Sequence, residues 1–422
     1  MADPTIVESV LSQHAEEAAF LWLVRDNAVH APHYSLKDLA RLDNRIEAHL
    51  EGLSVAGEAG WEIVCSELKW KEPGEVFAAA AVALMSDEVS RMQPVLEVAR
   101  TTPELSRGMI AALAFLPTER VALRVSQLCA SQDPDRRRIG IAASACQRLD
   151  AGRPLVAALE SDNPSLRARA LRAVGELGRI DLLPAARAGI KDADDSTRLW
   201  AAWSCGLLGD KGTAEVLRGL VRLDFPGHAI ALDMCLRLLD PPDASRWREE
   251  LVKDPAAARL AIQAAGVIGD PAPVPWLIDQ MADDVVARVA GESFTFITGA
   301  DLALANLEKK PPETVEAGPN DNPLDENVAL DPDENLPWPD PELIRAWWSK
   351  NSSRFAIGVH HLLGKPLNSE SLNVVLRTGR QRQRAAAALE LALSSKGRPH
   401  PLFETRAPAR RQRQLLGLSG QQ

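Results

Sequence analysis

The 422-residue sequence has no long hydrophobic run. Its most apolar stretch, Val76 to Met85, is ten residues of mostly alanine, whereas a bilayer span needs about 20, so no membrane span is expected. The N-terminus lacks the basic stretch and apolar run of a secretory signal, which makes the cytoplasm the expected location. Cysteine is scarce: Cys65, Cys129, Cys146, Cys205 and Cys235 are odd in number, widely spaced and never C-x-x-C. That pattern disfavours a disulfide framework and a zinc site. Also missing are G-x-S-x-G, G-x-x-x-x-G-K-[ST] and G-x-G-x-x-G, the sequences that set up a serine nucleophile or cradle phosphates. The histidines include His30 with His33 and the adjacent His360 and His361, but none has an acid or cysteine at ligand spacing. They read as surface or capped histidines, and no catalytic residue, metal or cofactor is expected.

What is present is an ordinary globular composition, 46% hydrophobic and 25% charged, which excludes wholesale disorder. Within it lies a repeat. Residues 162–178 read DNPSLRARALRAVGELG and residues 192–209 read DADDSTRLWAAWSCGLLG. A shift of 31 positions superposes Arg167 on Arg198, Ala170 on Ala201, Gly175 on Gly206 and Leu177 on Leu208. Fainter copies appear upstream in DPDRRRIGIAASACQRL and downstream in MCLRLLD and DPAAARLAIQAAGVIGD, giving a period of about 30. Each copy has an Asp, Pro or Ser start, an Ala-rich amphipathic helix, a Gly-type stop and a second helix such as LLPAARAGI. A helix pair of this kind has one apolar face it cannot bury alone, and stacking neighbours buries it. Pro164, Pro184, Pro226, Pro255 and Pro275 fall near helix starts, where a missing N–H costs little. Cys146 and Cys205 sit where the intervening copy has Val174 and read as buried small hydrophobes. Arg138, Arg167 and Arg198 recur with the repeat and read as ties between neighbouring copies.

The pattern D-x-x-x-x-R-x-x-A-x-x-x-x-x-x-L-G resembles HEAT repeats of the short, lyase-associated type, which implies an all-α helical-repeat solenoid. We place the solenoid at residues 70–310, preceded by a helical cap over residues 1–69 with a turn at Ala31 to Tyr34. Residues 311–342 hold ten acidic residues, eight prolines and no Lys or Arg, the composition of a linker or acidic loop. Residues 343–422 follow as a small helical region with 14 basic and 3 acidic residues, against 34 basic and 45 acidic in residues 1–310. Opposite charge favours docking of this tail on the body. The other reading of Arg377, Arg380, Arg382, Arg384, Arg410, Arg411 and Arg413 is nucleic-acid binding, which the acidic body opposes.

One departure from the repeat stands out. On the helical face that carries Arg169, Arg172 and Glu176 in one copy, a face expected to meet water, the next copies have Trp200, Trp203 and Leu207, then Ala231, Met234 and Leu238, then Leu260, Gln263 and Val267. An apolar strip of that extent marks a contact. Its occupant is either a protein partner or this chain's own tail, through Trp347 and Trp348.

Three segments carry a second resemblance: HAEEAAFLWLVRDNAVHAPHYSLKDLARLDNRIEAHLEGL at the start, GESFTFITGADL in the middle, and WWSKNSSRFAIGVHHLLGKPL with RQRQRAAAALELAL near the end. Together they resemble an uncharacterised proteobacterial HEAT-repeat family of accessory proteins encoded beside type VI secretion spike and effector genes. The resemblance implies a non-enzymatic adaptor or chaperone for a secreted effector or spike component. The alternatives are an immunity protein that neutralises a cognate toxin, and a HEAT-repeat enzyme of the lyase-like or DNA-repair kind.

Overall fold

Pro73, Pro103, Pro134 and Pro164 each open a helix in the computed structural model, which describes residues 7–86, 88–312, 331–395 and 399–418. The helices are Pro73–Met85, Pro103–Phe115, Pro134–Gln147 and Pro164–Glu176, and Asp195–Leu207 continues the series at the same interval of 30 or 31 residues. Proline suits the first helical position because its φ is already helical and its N–H is not needed there. The residue before each later helix is a side-chain cap. Thr102 accepts from Leu105 N, Asp133 from Asp135 N, Asn163 from Leu166 N and Asp194 from Thr197 N. Between these helices run Met92–Ala99, Thr118–Cys129, Arg153–Leu159 and Leu183–Gly189, each packed on a repeat neighbour. Among the described residues there are 22 α-helices and one hairpin of two-residue strands, so the chain is an all-α helical-repeat solenoid.

The repeat helices pack closely because small residues line their contacts. A Cβ on Gly175 would lie 2.5 Å from Ser204 Oγ and 2.9 Å from Ser204 Cα. With only hydrogen there, Ser204 Oγ donates to Leu171 O at 2.6 Å and accepts from Gly175 N at 3.1 Å. The same device recurs three copies further on, where Gly266 faces Ser293, whose Oγ donates to Ile262 O at 3.0 Å. The helix Pro73–Met85 is buried from Val76 to Leu84, which accounts for the most apolar run of the sequence as core. No helix among the described residues is long and apolar enough to cross a membrane.

An arginine four residues after the cap recurs in three copies, bonding the turn that opens its own copy and, at Arg167, the next copy as well. Arg167 grips Asp192 of the next copy with Nε and Nη2, both at 3.0 Å, and donates from Nη1 to Ser161 O at 2.7 Å. Arg198 donates to Asp192 O at 2.9 Å, and Arg137 to Ser131 O at 2.9 Å. By its place after the cap the equivalent residue in the upstream copy is Arg137, 30 residues before Arg167, and not Arg138, because the caps Asp133 and Asn163 are also 30 apart. Arg138 also ties neighbouring copies, as expected, by donating to Ser106 Oγ of the preceding repeat helix at 2.7 Å.

The chain forms two compact units, one of residues 1–210 with 380–382 and 392–422, the other of residues 211–379 with 383–391. The basic residues 343–422 are thus shared between the units. In the first unit, Glu8–Ala28 and Leu36–Val55 precede the array, and Ser35 and Asp38 form a reciprocal cap on the second of them. In the second unit, His228–Leu238, Ala258–Ile268 and Ala287–Thr298 are the successive repeat helices. Residues 313–330 of the expected linker lie outside the described residues. Its last part packs: Asp333 is buried and paired with Arg259, Asp331 lies 2.6 Å from Arg288, and Arg288 stacks over Trp338. The hairpin, His361–Leu362 with Lys365–Pro366, was not foreseen in a region expected to be helical. It meets the carboxyl ends of two repeat helices, where His361 N donates to Gly269 O at 2.9 Å and Leu363 N to Phe296 O at 2.7 Å. Of the histidines expected at the surface or capped, His361 is buried, with Nδ1 2.7 Å from Val359 O.

Candidate binding face

In the first unit the carboxyl ends of three successive repeat helices are met by one stretch of chain, residues 402–411. Leu402 N donates to Glu176 O at 3.0 Å. Arg411 donates from Nη2 to Gln147 O at 2.7 Å and from Nη1 to Cys146 O at 3.1 Å, and Arg410 reaches Phe115 O at 2.7 Å. The last carbonyls of a helix have no partner within it and carry the negative end of its dipole, so guanidinium groups suit them doubly. Residues 402–411 therefore cap all three, Leu402 the last of these helices and Arg410 and Arg411 the two before it. The anchor is Asp43, which pairs with Arg25 and accepts from Ala409 N at 2.6 Å, while Arg25 Nη2 reaches Arg406 O and Ala407 O, both at 3.1 Å. Gln412, fully buried, holds the turn by donating to Thr405 O and Ala407 O. Five of the seven arginines that raised a nucleic-acid reading, Arg380, Arg382, Arg384, Arg410 and Arg411, bond to the chain itself. Arg380 donates to His33 O at 3.0 Å, Arg382 to His30 O at 2.8 Å, and Arg384, buried, to Leu376 O at 2.7 Å.

The face expected to meet water is covered by this stretch. Arg169, Arg172 and Glu176 lie along one side of Pro164–Glu176, and Glu176 is 2% exposed. Its carboxylate accepts from Arg172 Nε at 2.8 Å and Arg169 Nη2 at 2.9 Å, with Arg406 Nη2 at 3.7 Å. Arg406 in turn pairs with both oxygens of Glu404, at 2.7 and 2.8 Å. The expectation failed because the repeat supplies only part of the charge balance, and Glu404 and Arg406 bring the rest from more than 200 residues away in sequence. Burial raises the Glu176 pKa, but the three guanidiniums outweigh it and hold the value at about 2. Glu404 is held low in the same way, against burial, chiefly by Arg406. Both are carboxylates at neutral pH.

Beside this cluster is a cavity of about 540 Å³, opened between Glu8–Ala28, the repeat helices and residues 404–408. Trp22 and Phe115 supply aromatic wall and His30 stands at its edge. His30 is exposed at the cavity mouth, yet desolvation by the surrounding protein, then Arg406, lowers its pKa to about 4. Cys146 also lines the cavity and is half-buried rather than fully buried as expected, whereas Cys205 is fully buried. Burial first, then Glu404 and Glu176, pushes the Cys146 thiol up, which keeps it protonated and a poor nucleophile.

The residues of the apolar strip separate into those inside and those at its edge. Trp203 and Leu207 are buried, and Trp203 is seated against Gly175, whose Cβ would lie 2.9 Å from the ring. Trp200 is half-buried; its ring lies 4.3 Å from the Arg172 guanidinium and meets Trp203 edge-on at 5.4 Å. In the second unit Met234 and Leu238 are buried. Trp347 and Trp348 pack on Phe294 at 5.6 and 6.5 Å and on Phe355, against a core of residues 262–307. Six of the nine strip residues, Trp203, Leu207, Ala231, Met234, Leu238 and Leu260, are interior in this conformation.

Among the described residues no three His, Cys, Asp or Glu side chains are grouped to hold a metal ion. His14 and His49 come together as a pair, Nδ1 to Nδ1 at 2.9 Å. The residues that sequence analysis missed at this face are Arg25, His30, Asp43, Glu404 and Arg406. Only the charge contrast between tail and body pointed toward them. Residues 152–227 match the family described as HEAT repeats. No curated protein and no solved structure matches the chain.

Proposed function

We propose that the protein is a non-enzymatic scaffold that holds a protein partner, and that the partner is an effector or spike component of a type VI secretion system which it serves as adaptor or chaperone in the cytoplasm. The observation that carries the scaffold reading is the helical repeat itself, matched to HEAT repeats over residues 152–227. Stacked helix pairs present long surfaces with little demand on any single residue, which suits a contact with another protein. The choice of partner rests on the resemblance of the N-terminal, central and C-terminal segments to accessory proteins of that system. Trp200 is the strip aromatic that keeps open surface, and its stacking on Arg172 holds the indole in place for a contact.

Affinity purification of the full chain from the producing organism tests the reading. Recovery of a spike or effector protein with the wild type, and its loss with Trp200→Ala at unchanged melting temperature, supports it. Loss of export with protection of neighbouring cells intact selects the adaptor role. Loss of protection with export intact selects an immunity protein instead. Recovery of no component of the secretion system sinks the choice of partner.

A further inference from the structure

The cavity of the first unit has the makings of a ligand site independent of any protein partner. Its volume of about 540 Å³ falls among small-molecule pockets, which span roughly 300–1,000 Å³. One wall is apolar, built by Trp22, Val29, Ile110, Ala114, Phe115 and Pro408. Facing it are three guanidiniums, of Arg169, Arg172 and Arg406, that share only two carboxylates, Glu176 and Glu404. The two other arginines of the lining are matched one to one, Arg25 by Asp43 and Arg107 by Asp26. One positive charge is left over. Arg169 Nη1 is in addition a buried donor without an acceptor, and a buried donor left so is costly until something accepts from it.

We infer that this cavity binds a small organic anion of single charge, a carboxylate whose apolar body lies against the half-buried Ile110, Ala111 and Ala114 and whose head faces Arg169, Arg172 and Arg406. Charge decides the class. A monoanion balances the cluster, whereas a phosphate dianion overshoots it and a cation adds to the excess. The apolar wall decides the body, since an inorganic anion leaves Ile110, Ala111 and Ala114 uncovered. The walls come from core helices and from residues 404–408 already fixed by Arg25 and Asp43, so the site is formed before a ligand arrives and little ordering is needed on binding.

Calorimetric titration of the full chain with phenylacetate and indole-3-acetate tests this, with phenylacetamide, phenethylamine and inorganic phosphate as controls. Saturable one-to-one binding of a carboxylate is expected, weaker by about tenfold or more for the amide, which cannot make charge-assisted hydrogen bonds, and absent for the amine. Ala114→Phe, which fills the cavity from its half-buried wall, is expected to abolish binding while the helical circular dichroism signal and melting temperature are kept; Ala111→Phe serves where the first variant does not fold. Saturable heat from neither carboxylate, equal affinity for acid and amide, tighter binding of phosphate than of either carboxylate, or undiminished binding in a folded cavity-filled variant each overturns the assignment. None of these outcomes depends on a secretion partner, so failure here leaves the scaffold reading standing, and the reverse holds too.

Discussion

Ser204 Oγ occupies the space that a side chain on Gly175 would need, 2.5 Å from the position of the missing Cβ. The hydroxyl is fixed there by its bonds to Leu171 O and Gly175 N, so it has no other place to go. Gly175→Ala is expected to destabilise the protein by about 1–3 kcal/mol, the usual result of overpacking a tight helix contact. Thermal melting of this variant against Gly219→Ala, where nothing lies within 4 Å of the added carbon, checks it. Equal melting temperatures contradict the close approach.

Trp203→Glu is expected to cost about 3–5 kcal/mol, because it removes a large side chain that is 7% exposed and leaves a carboxylate in its place. Chemical denaturation reads the loss. A Trp203→Glu chain as stable as wild type contradicts the buried placement.

Arg411 holds the carbonyls of Cys146 and Gln147, and Arg410 that of Phe115. Removal of residues 399–422 is expected to speed amide exchange at the carboxyl ends of Pro103–Phe115 and Pro134–Gln147 and to lower the melting temperature. Arg411→Ala alone, a lost pair of charge-assisted bonds, is expected to cost about 1.5–3 kcal/mol. Exchange rates unchanged in the truncated chain show that these ends are capped some other way.

Acid is expected to loosen the first unit in two stages. His30 has a pKa lowered from 6.5 to about 4; the unfolded chain takes up that proton first, so stability present above pH 6.5 declines as the pH falls toward 4. Glu176 is lowered from 4.5 to about 2, so its contribution is complete above pH 4.5 and is lost as the pH falls through 2. A shift of that size in a buried group corresponds to about 3 kcal/mol. Glu176→Gln leaves Arg169 and Arg172 uncompensated and is expected to cost a similar amount, about 3 kcal/mol, at pH 7. The gap in stability between wild type and Glu176→Gln is expected to close by about pH 2, as the wild-type carboxyl protonates. A gap that persists unchanged at that pH means Glu176 does not act through its charge.

Much of the array was legible in the residues. The 31-residue shift that aligns Arg167 with Arg198 found the copies from residue 134 onward, and the helices fall where the caps and prolines put them. The two upstream copies were readable as well, from Pro73 and Pro103, which stand at the same interval as Pro134 and Pro164. They were missed because their interiors, such as GEVFAAAAVALM, carry no Arg or Leu-Gly signature, the function of those positions being pure burial. The binding face was not legible. Arg169, Arg172 and Glu176 look like a solvated helix edge to any local reading, since i, i+3 and i+7 spacing says which side they share and nothing about what covers it.

Sequence alone determined the helices, their interval and the fold class, because periodic apolar positions, capping side chains and proline act over a few residues at a time. Tertiary structure alone decided that the basic C-terminal stretch caps the repeat helices, that Glu404 and Arg406 complete a charge cluster begun by Glu176, and that a cavity remains beside them. Those outcomes depend on which groups, hundreds of residues apart, leave water together, and the free energy of a buried charge is set by the neighbours it meets there.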